Sequence, residues 1–218
     1  RIAFVQNCYM AYGFFSAFDG AIFNADGSTS DKRDGVTRAL AYLRSLKATA
    51  GPSFFSDHPE RYDPAFRAGD IDLYVNGTWA IPDFREALGP KLAVAPLPTA
   101  QNATSPFLNF RVFYLGAHSA NPKAAVDLAL VLASGEYQTH FMDAAGWVPV
   151  RTDVNVTDAA IRGFMDAAAT AQRRPQNLEL GAYWSEFCPA FDAVMDQAAD
   201  PSTAVDGAFE RIKARNGR

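Results

Sequence analysis

The sequence predicts an α/β fold in which helix outweighs strand. Three observations lead there: apolar residues recur at helical spacing in several long stretches, short alternating runs stand between them, and turn residues mark the borders. Residues 65–99, AFRAGDIDLYVNGTWAIPDFREALGPKLAVAPLPT, hold all three at once. There a short helix closes on Gly69, and Ile71, Leu73 and Val75 alternate as a strand. Asn76-Gly77 breaks that strand, and Trp79 opens a helix that runs to about residue 88. Residues 92–95 read as a second strand, which ends in Pro-Leu-Pro.

The other elements follow in order. Residues 2–5 read as a strand, 9–23 as an aromatic-rich segment carrying Asp19-Gly20, and 24–30 as a turn. A helix spans 34–48, with Val36, Leu40 and Leu43 on one face and Gly51-Pro52 as its stop. Residues 54–62 read as irregular, and Pro64 starts the next short helix. After a polar loop over 100–105, residues 108–115 are apolar with Asn109 and Arg111 interleaved. Asn121 caps a helix with Pro122 in its first turn, and 124–133 is apolar nearly all round, which predicts burial. Ser134 starts a helix that Gly146 ends, and 147–150 is extended. Thr157 caps a helix with Ile161, Phe164 and Met165 on one face, and 172–181 is a loop containing Pro175. The last two helices span 185–199, with Pro189 near the first turn, and the stretch opened by Asp200-Pro201, where Val205, Phe209 and Ile212 share a face.

Composition narrows the function. With 218 residues the chain can bury a proper core, and its 49% hydrophobic and 20% charged residues are ordinary for a globular protein. A net charge of -4 offers no basic surface, so nucleic acid is not expected as a partner. No apolar run approaches the roughly 18 residues that span a bilayer. The chain opens directly on the strand at Ile2, which suggests that something upstream has been removed. His58, His118 and His140 lie far apart and no CxxC is present, so neither a metal nor another cofactor is expected. Cys8 and Cys188 read at this level as two unrelated buried thiols. The sequons at Asn76, Asn102 and Asn155 carry little weight. No GxSxG, GxxxxGK[ST] or HExxH occurs.

The order helix–strand–Asn-Gly-x-Trp–helix–strand–Leu-Pro over 65–99 resembles the C-terminal half of the family 1 extracellular solute-binding proteins, the maltose- and sugar-binding receptors of ABC importers. Further segments are similar to that family: the aromatic stretch ending at Asp19-Gly20, Asn121-Pro122-Lys123-Ala124-Ala125, Gly146-Trp147-Val148-Pro149-Val150, and the closing amphipathic helix after Asp200. The resemblance implies the C-terminal lobe of a type II periplasmic-binding-protein fold, helix-rich around a mixed sheet, with the N-terminal lobe largely missing. Residues 1–114 and 156–218 would form that lobe, and 115–155 would be a crossing segment that belongs with the N-terminal lobe. The implied protein binds a sugar or oligosaccharide between two closing lobes and delivers it to the importer's membrane subunits without catalysis. It would be periplasmic or extracellular, held at the membrane by its partner or by a lipid anchor on the missing N-terminus. Polyamine or glycerol phosphate ligands also fall within the family's range. A carbohydrate-active enzyme and a stand-alone ligand-sensing or interaction module are the alternatives.

Sugar sites need flat aromatic faces for the apolar side of a pyranose and polar groups for its hydroxyls. By the family pattern Trp79 is the stacking candidate, against a role packed under its turn. Tyr9 and Tyr12 stand where the family presents an aromatic to the sugar, and Cys8 where some sugar receptors carry an acid. Tyr183, Trp184 and Phe187 cluster at a helix start that faces the cleft in the family. Arg111 is either a ligand donor or a buried ion-pair member; Trp147 is expected to be structural or hinge-lining, and Asp70 and Asp72 to be solvated. Because the segments holding Cys8 and Cys188 both border the cleft in the family, the resemblance also allows the two to pair in an oxidising compartment.

Overall fold

β1 (Ile2–Val5) is the middle strand of a parallel sheet ordered β2-β1-β3, with β2 at Phe55–Ser56 and β3 at Leu73–Val75. The computed structural model describes residues 1–51, 55–56, 58–173 and 179–217. Pro52, Phe54 and Pro175, named above at a helix stop and in two loops, lie outside the described residues. Successive side chains of a strand face opposite ways, and β1 buries both faces: Phe4 joins a large cluster, while Ala3 and Val5 join a small one with Tyr62 and Ile71. A strand covered on both sides needs an unbroken apolar run, which Ala3-Phe4-Val5 supplies. A second parallel pair joins β4 (Phe107–Leu108) to β5 (Gln172–Arg173). The described ladders are therefore parallel rather than mixed, and the antiparallel pairing seen is a single bridge between Phe23 and Thr29.

The chain divides into two units. Unit 1 comprises residues 1–76, 97–108 and 170–218, and unit 2 comprises 77–96 and 109–169. Unit 2 thus takes in more than the 115–155 segment.

Within unit 1 the aromatic-rich segment is a helix, α1 (Cys8–Phe15), capped by the Asn7 side chain on the Met10 amide at 2.9 Å. A 3-10 turn (Ser16–Phe18) follows, and Asp19 ends it in the left-handed region at φ 59°. α2 (Arg33–Ala50) then buries Val36, Ala39, Leu40 and Leu43, the face expected from its spacing. α3 (Tyr62–Ala68) covers the small cluster through Tyr62 and stops on Gly69. Near the other end of the chain, α9 (Cys188–Asp196) buries Phe191 and Val194, and α10 (Pro201–Asn216) buries Val205, Phe209 and Ile212, again as the spacing predicts. A polar knot joins three of these segments. Gln6 donates to both carboxylate oxygens of Asp196 at 2.8 and 2.9 Å, and Lys47 donates to Gln6 at 2.6 Å and to Asp196 at 2.8 Å.

Unit 2 packs α4 (Ile81–Leu88), α6 (Gly135–Ala145) and α7 (Ala159–Ala168) around Ile81, Met142, Ala160 and Ile161. Three expectations are corrected here. Residues 92–95 form no strand: Leu92 and Val94 spend their apolar side chains on this cluster instead of a ladder. The cap of α7 is Asp158, whose carboxylate accepts from the Ile161 amide at 2.9 Å, while Thr157 gives its carbonyl to Arg162. The third concerns α5 (Pro122–Leu132), which is not buried; Leu130 is 66% exposed, and Val126, Leu128 and Val131 are exposed with it. Phe110, Val112, Phe113, Tyr114 and Leu115 are exposed as well, so unit 2 carries an apolar surface far above the scatter normal for a monomer. No helix among the described residues is long and apolar enough to cross a membrane.

Candidate ligand site

The aromatic residues after β5 sit on a distorted helix whose distortion has a local cause. The helix begins at Leu180, earlier than expected, with one α-turn, α8 (Leu180–Ala182), and then winds as a π-helix over Tyr183–Phe187. Pro189 has no amide hydrogen and cannot complete the α-bond to the Ser185 carbonyl. The Cys188 amide bonds instead to the Tyr183 carbonyl, five residues back. A wider turn places residues four apart directly above one another. Tyr183 and Phe187 stack with ring centroids 5.2 Å apart and planes 13° apart, both fully buried, and Trp184 is left at the surface at 36% exposure. Tyr183 and Phe187 are thus core residues in this structure.

Burial also holds the Tyr183 hydroxyl well above its ordinary pKa, so it remains a donor, to the Cys8 carbonyl at 2.6 Å. Tyr12 is buried too, with its pKa pushed up to about 12 by desolvation; its hydroxyl donates to Gln172 at 3.4 Å and its ring stacks on Phe107 at 3.7 Å. Tyr9, by contrast, is only half-buried. Its ring lies 6.4 Å from that of Trp184 with planes 20° apart, and Phe107 closes the group at 5.7 Å from Tyr9 and 6.3 Å from Trp184. Unit 1 therefore presents Tyr9, Phe107 and Trp184 at its surface over the buried layer of Tyr12, Tyr183 and Phe187. Phe107 was missed in the sequence because it follows a proline in a segment with no periodicity; its register against Gln172 is what brings it here.

Beside Trp184, the Glu186 carboxylate accepts from Ser185 at 3.0 Å and from Arg215 at 3.2 Å, with Arg211 at 3.5 Å. Those contacts, the Ser185 hydrogen bond foremost, hold its pKa below the usual carboxylate value.

In unit 2, Trp79 lies in a 3-10 turn (Thr78–Ala80) and is 52% exposed. Its ring folds over Gly77 so closely that a Cβ there would fall 2.1 Å from the indole, which explains why glycine precedes Thr78-Trp79. Arg111 is neither a buried ion-pair member nor isolated. Its guanidinium lies 3.8 Å above the Trp147 ring, which in turn stacks on Phe141 at 4.7 Å. Trp147 is thus held between Arg111 and Phe141. Asp70 and Asp72 are both exposed, but they precede β3 instead of lying in it. The expected alternation also fails at Leu73, which opens the strand and is 64% exposed while Ile71 is buried. Cys8 and Cys188 are joined in a disulfide with their Cα atoms 5.4 Å apart, and no free cysteine is present. Among the described residues no cluster of His, Cys, Asp and Glu can hold a metal ion.

The chain is similar to known proteins in sequence and in fold. A maltotriose-binding protein from Pyrococcus abyssi is 24% identical over 207 residues, covering 89% of this chain and 45% of that protein. The structure of the Thermus thermophilus maltotriose binding protein bound with maltotriose superposes with a TM-score of 0.78 at 23% identity, over 100% of this chain and 61% of that one. An extracellular solute-binding protein from Staphylococcus aureus in complex with maltose gives 0.79 at 24% identity, over 99% and 59%. The chain thus spans about half to three fifths of the length of these relatives, and they share its fold. The sequence pattern of the bacterial extracellular solute-binding proteins matches residues 4–170, most of the chain, and the chain belongs to that family.

Proposed function

We propose that this chain is the carbohydrate-binding portion of an extracytoplasmic receptor that hands maltooligosaccharides to an ABC importer. The observation that carries the reading is the surface trio Tyr9, Phe107 and Trp184, in which two rings with nearly parallel planes stand over a rigid buried layer. The C–H face of a glucose unit packs on such rings, and its hydroxyls seek the polar groups at their edges. Tyr9 and Trp184 are the contact residues, with Phe107 beside them; Tyr12, Tyr183 and Phe187 support them from below. Trp79 is an exposed ring of unit 2, and Arg111 acts there through Trp147. The names of the relatives, which bind maltose and maltotriose, favour glucose oligomers over other solutes.

The remaining partners are the importer's membrane subunits and the part of the receptor that corresponds to the rest of those relatives. That part would pack on the exposed apolar face of 110–115 and α5, and the exposure of this face supports a crossing segment that belongs with the N-terminal lobe. The family and the disulfide support location outside the cytoplasm, and attachment through the importer or a lipid anchor is part of the same reading.

Calorimetric titration with maltotriose tests the reading. Saturable binding that Trp184→Ala weakens supports it, and absence of binding to maltose, maltotriose and maltotetraose in a receptor restored to full length refutes it. Turnover of a chromogenic maltoside would replace it with the carbohydrate-active enzyme.

A further inference from the structure

The two ends of the disulfide flank the surface rings. Cys8 directly precedes Tyr9 at the start of α1, and Cys188 follows Trp184 by four residues at the junction of the π-turn with α9. These helical starts come from opposite ends of the chain, 180 residues apart in sequence. Besides the disulfide, the links between them include the buried Tyr183 hydroxyl on the Cys8 carbonyl and the edge contact of Tyr12 with Tyr183. They also include the approach of Tyr9 to Trp184, and the Phe107 ring that both of these approach. Deeper down, unit 1 is held by contacts that do not involve the cysteines, among them Phe15 on Phe187, and Leu40, Leu43, Phe191, Phe209 and Ile212 in one core. Cys8 lies at the edge of that core and Cys188 is only half-buried.

We propose that the Cys8–Cys188 disulfide is a positioning device for the Tyr9–Trp184 ring pair. It fixes the separation and tilt of the two rings, while the fold of unit 1 stands on the core beneath. The Trp184 ring on its widened turn is exposed and the Tyr9 ring in the first turn of α1 is half-buried. A covalent tie four residues from Trp184 and one from Tyr9 removes the freedom of the two helix starts to slide apart. Holding recognition groups in their bound arrangement before the ligand arrives raises affinity by cutting the ordering cost. The ligand here is the one assigned under the proposed function, and that part of the inference rests on it.

The test compares the chain with its Cys8→Ala/Cys188→Ala variant, both labelled with 5-fluorotryptophan, with the resonances of Trp79, Trp147 and Trp184 assigned by single Trp→Phe substitutions. Well below the melting temperature, the Trp184 resonance of the variant is expected to shift or broaden while those of Trp79 and Trp147 stay in place. Maltotriose affinity is expected to fall roughly tenfold. A bond that only stabilises the fold would lower the melting temperature and leave the Trp184 resonance where it was, and that result overturns the proposal. If the oxidised chain binds no maltotriose, the sugar reading loses support, yet the fluorine spectrum still decides the role of the disulfide. Should the variant not fold, dithiothreitol reduction of the labelled wild type gives the same comparison, two thiols forming as the reagent closes to its cyclic disulfide. Unfolding on reduction as well would overturn the proposal, because the bond would then be holding the fold rather than the rings.

Discussion

Gly35→Ala is expected to destabilise the protein although alanine is the better helix former. Gly35 sits in the first turn of α2, where it meets the Asp19-Gly20 turn backbone to backbone. A Cβ on Gly35 would fall 2.3 Å from the Gly20 nitrogen and 2.5 Å from the Asp19 carbonyl carbon. Neither atom can rotate away, so α2 has to retreat by about 1 Å, and a gap of that size forfeits a quarter to a half of each dispersion contact along the face. That face carries Val36, Ala39, Leu40 and Leu43, all fully buried. Overpacking of this kind costs about 1–3 kcal/mol. With a gain of at most about 1 kcal/mol from helix propensity the net loss is about 1–2 kcal/mol, at the upper end because only backbone atoms stand in the way. Taking roughly 2–4 °C per kcal/mol for a chain of this size, the melting temperature should drop by about 2–8 °C. Gly207→Ala in α10 is the matched control. Its Cβ would meet only the Arg211 guanidinium at 3.2 Å, the mobile end of a long side chain. It should therefore gain about 0.5–1 kcal/mol. Urea denaturation followed by circular dichroism reads both variants. A Gly35→Ala protein at least as stable as wild type would refute the close-approach argument.

Three further outcomes are expected. Trp79→Ala should weaken maltotriose binding by about 1–3 kcal/mol while barely moving the melting temperature; normal binding with a large loss of stability would make Trp79 a core residue instead. Burial alone would raise the pKa of Asp196, but its hydrogen bonds from Lys47 and Gln6 outweigh that and hold it below the ordinary value. Its contribution is then complete above the unfolded-state pKa near 4 and is lost as pH falls through the lower folded value, so Asp196→Asn should flatten the acid limb of a stability-against-pH curve. An unchanged acid limb would remove the polar knot from the account. The 218-residue chain should self-associate through the face of α5, and Leu128→Glu/Leu130→Glu should suppress this in sedimentation velocity runs; a monomeric wild type would show that the face is not adhesive.

Much of unit 1 was legible in the sequence because its helices bury regular faces. Val36-Leu40-Leu43 and Val205-Phe209-Ile212 repeat at the helical period, and both faces are fully buried. Failures came where one residue type serves two purposes. The residues Leu92 and Val94 have strand composition, but their partners are the side chains of a helical cluster, which no local pattern reveals. Burial predicted from the all-round apolar α5 needs covering partners, and composition does not say where they come from. In the site, Tyr183, Trp184 and Phe187 were legible as a group but not by direction, because Pro189 widens the turn and decides which rings face inward. Trp79 with Gly77 was the clearest signal, since a glycine under an indole leaves a fixed spacing in the sequence.

The division of the chain has a consequence for how the molecule is born. Unit 1 is assembled from 1–76, 97–108 and 170–218, and α2 lies against α10, whose last turn ends at Asn216. Its main core therefore cannot close while the C-terminal helix is still on the ribosome or inside a translocation pore. Contacts such as those of α2 with α10 and of Phe15 with Phe187 join residues well over a hundred positions apart, which slows folding because a long loop must close before they reward it. Until α10 emerges, α1 has neighbouring early segments such as α2 to pack on, while the apolar faces that α9 and α10 cover stay exposed. That delay suits a polypeptide that must be threaded through a membrane before it folds. The final helix acts as the clasp, and removing it should leave a chain that is exported but never becomes resistant to protease.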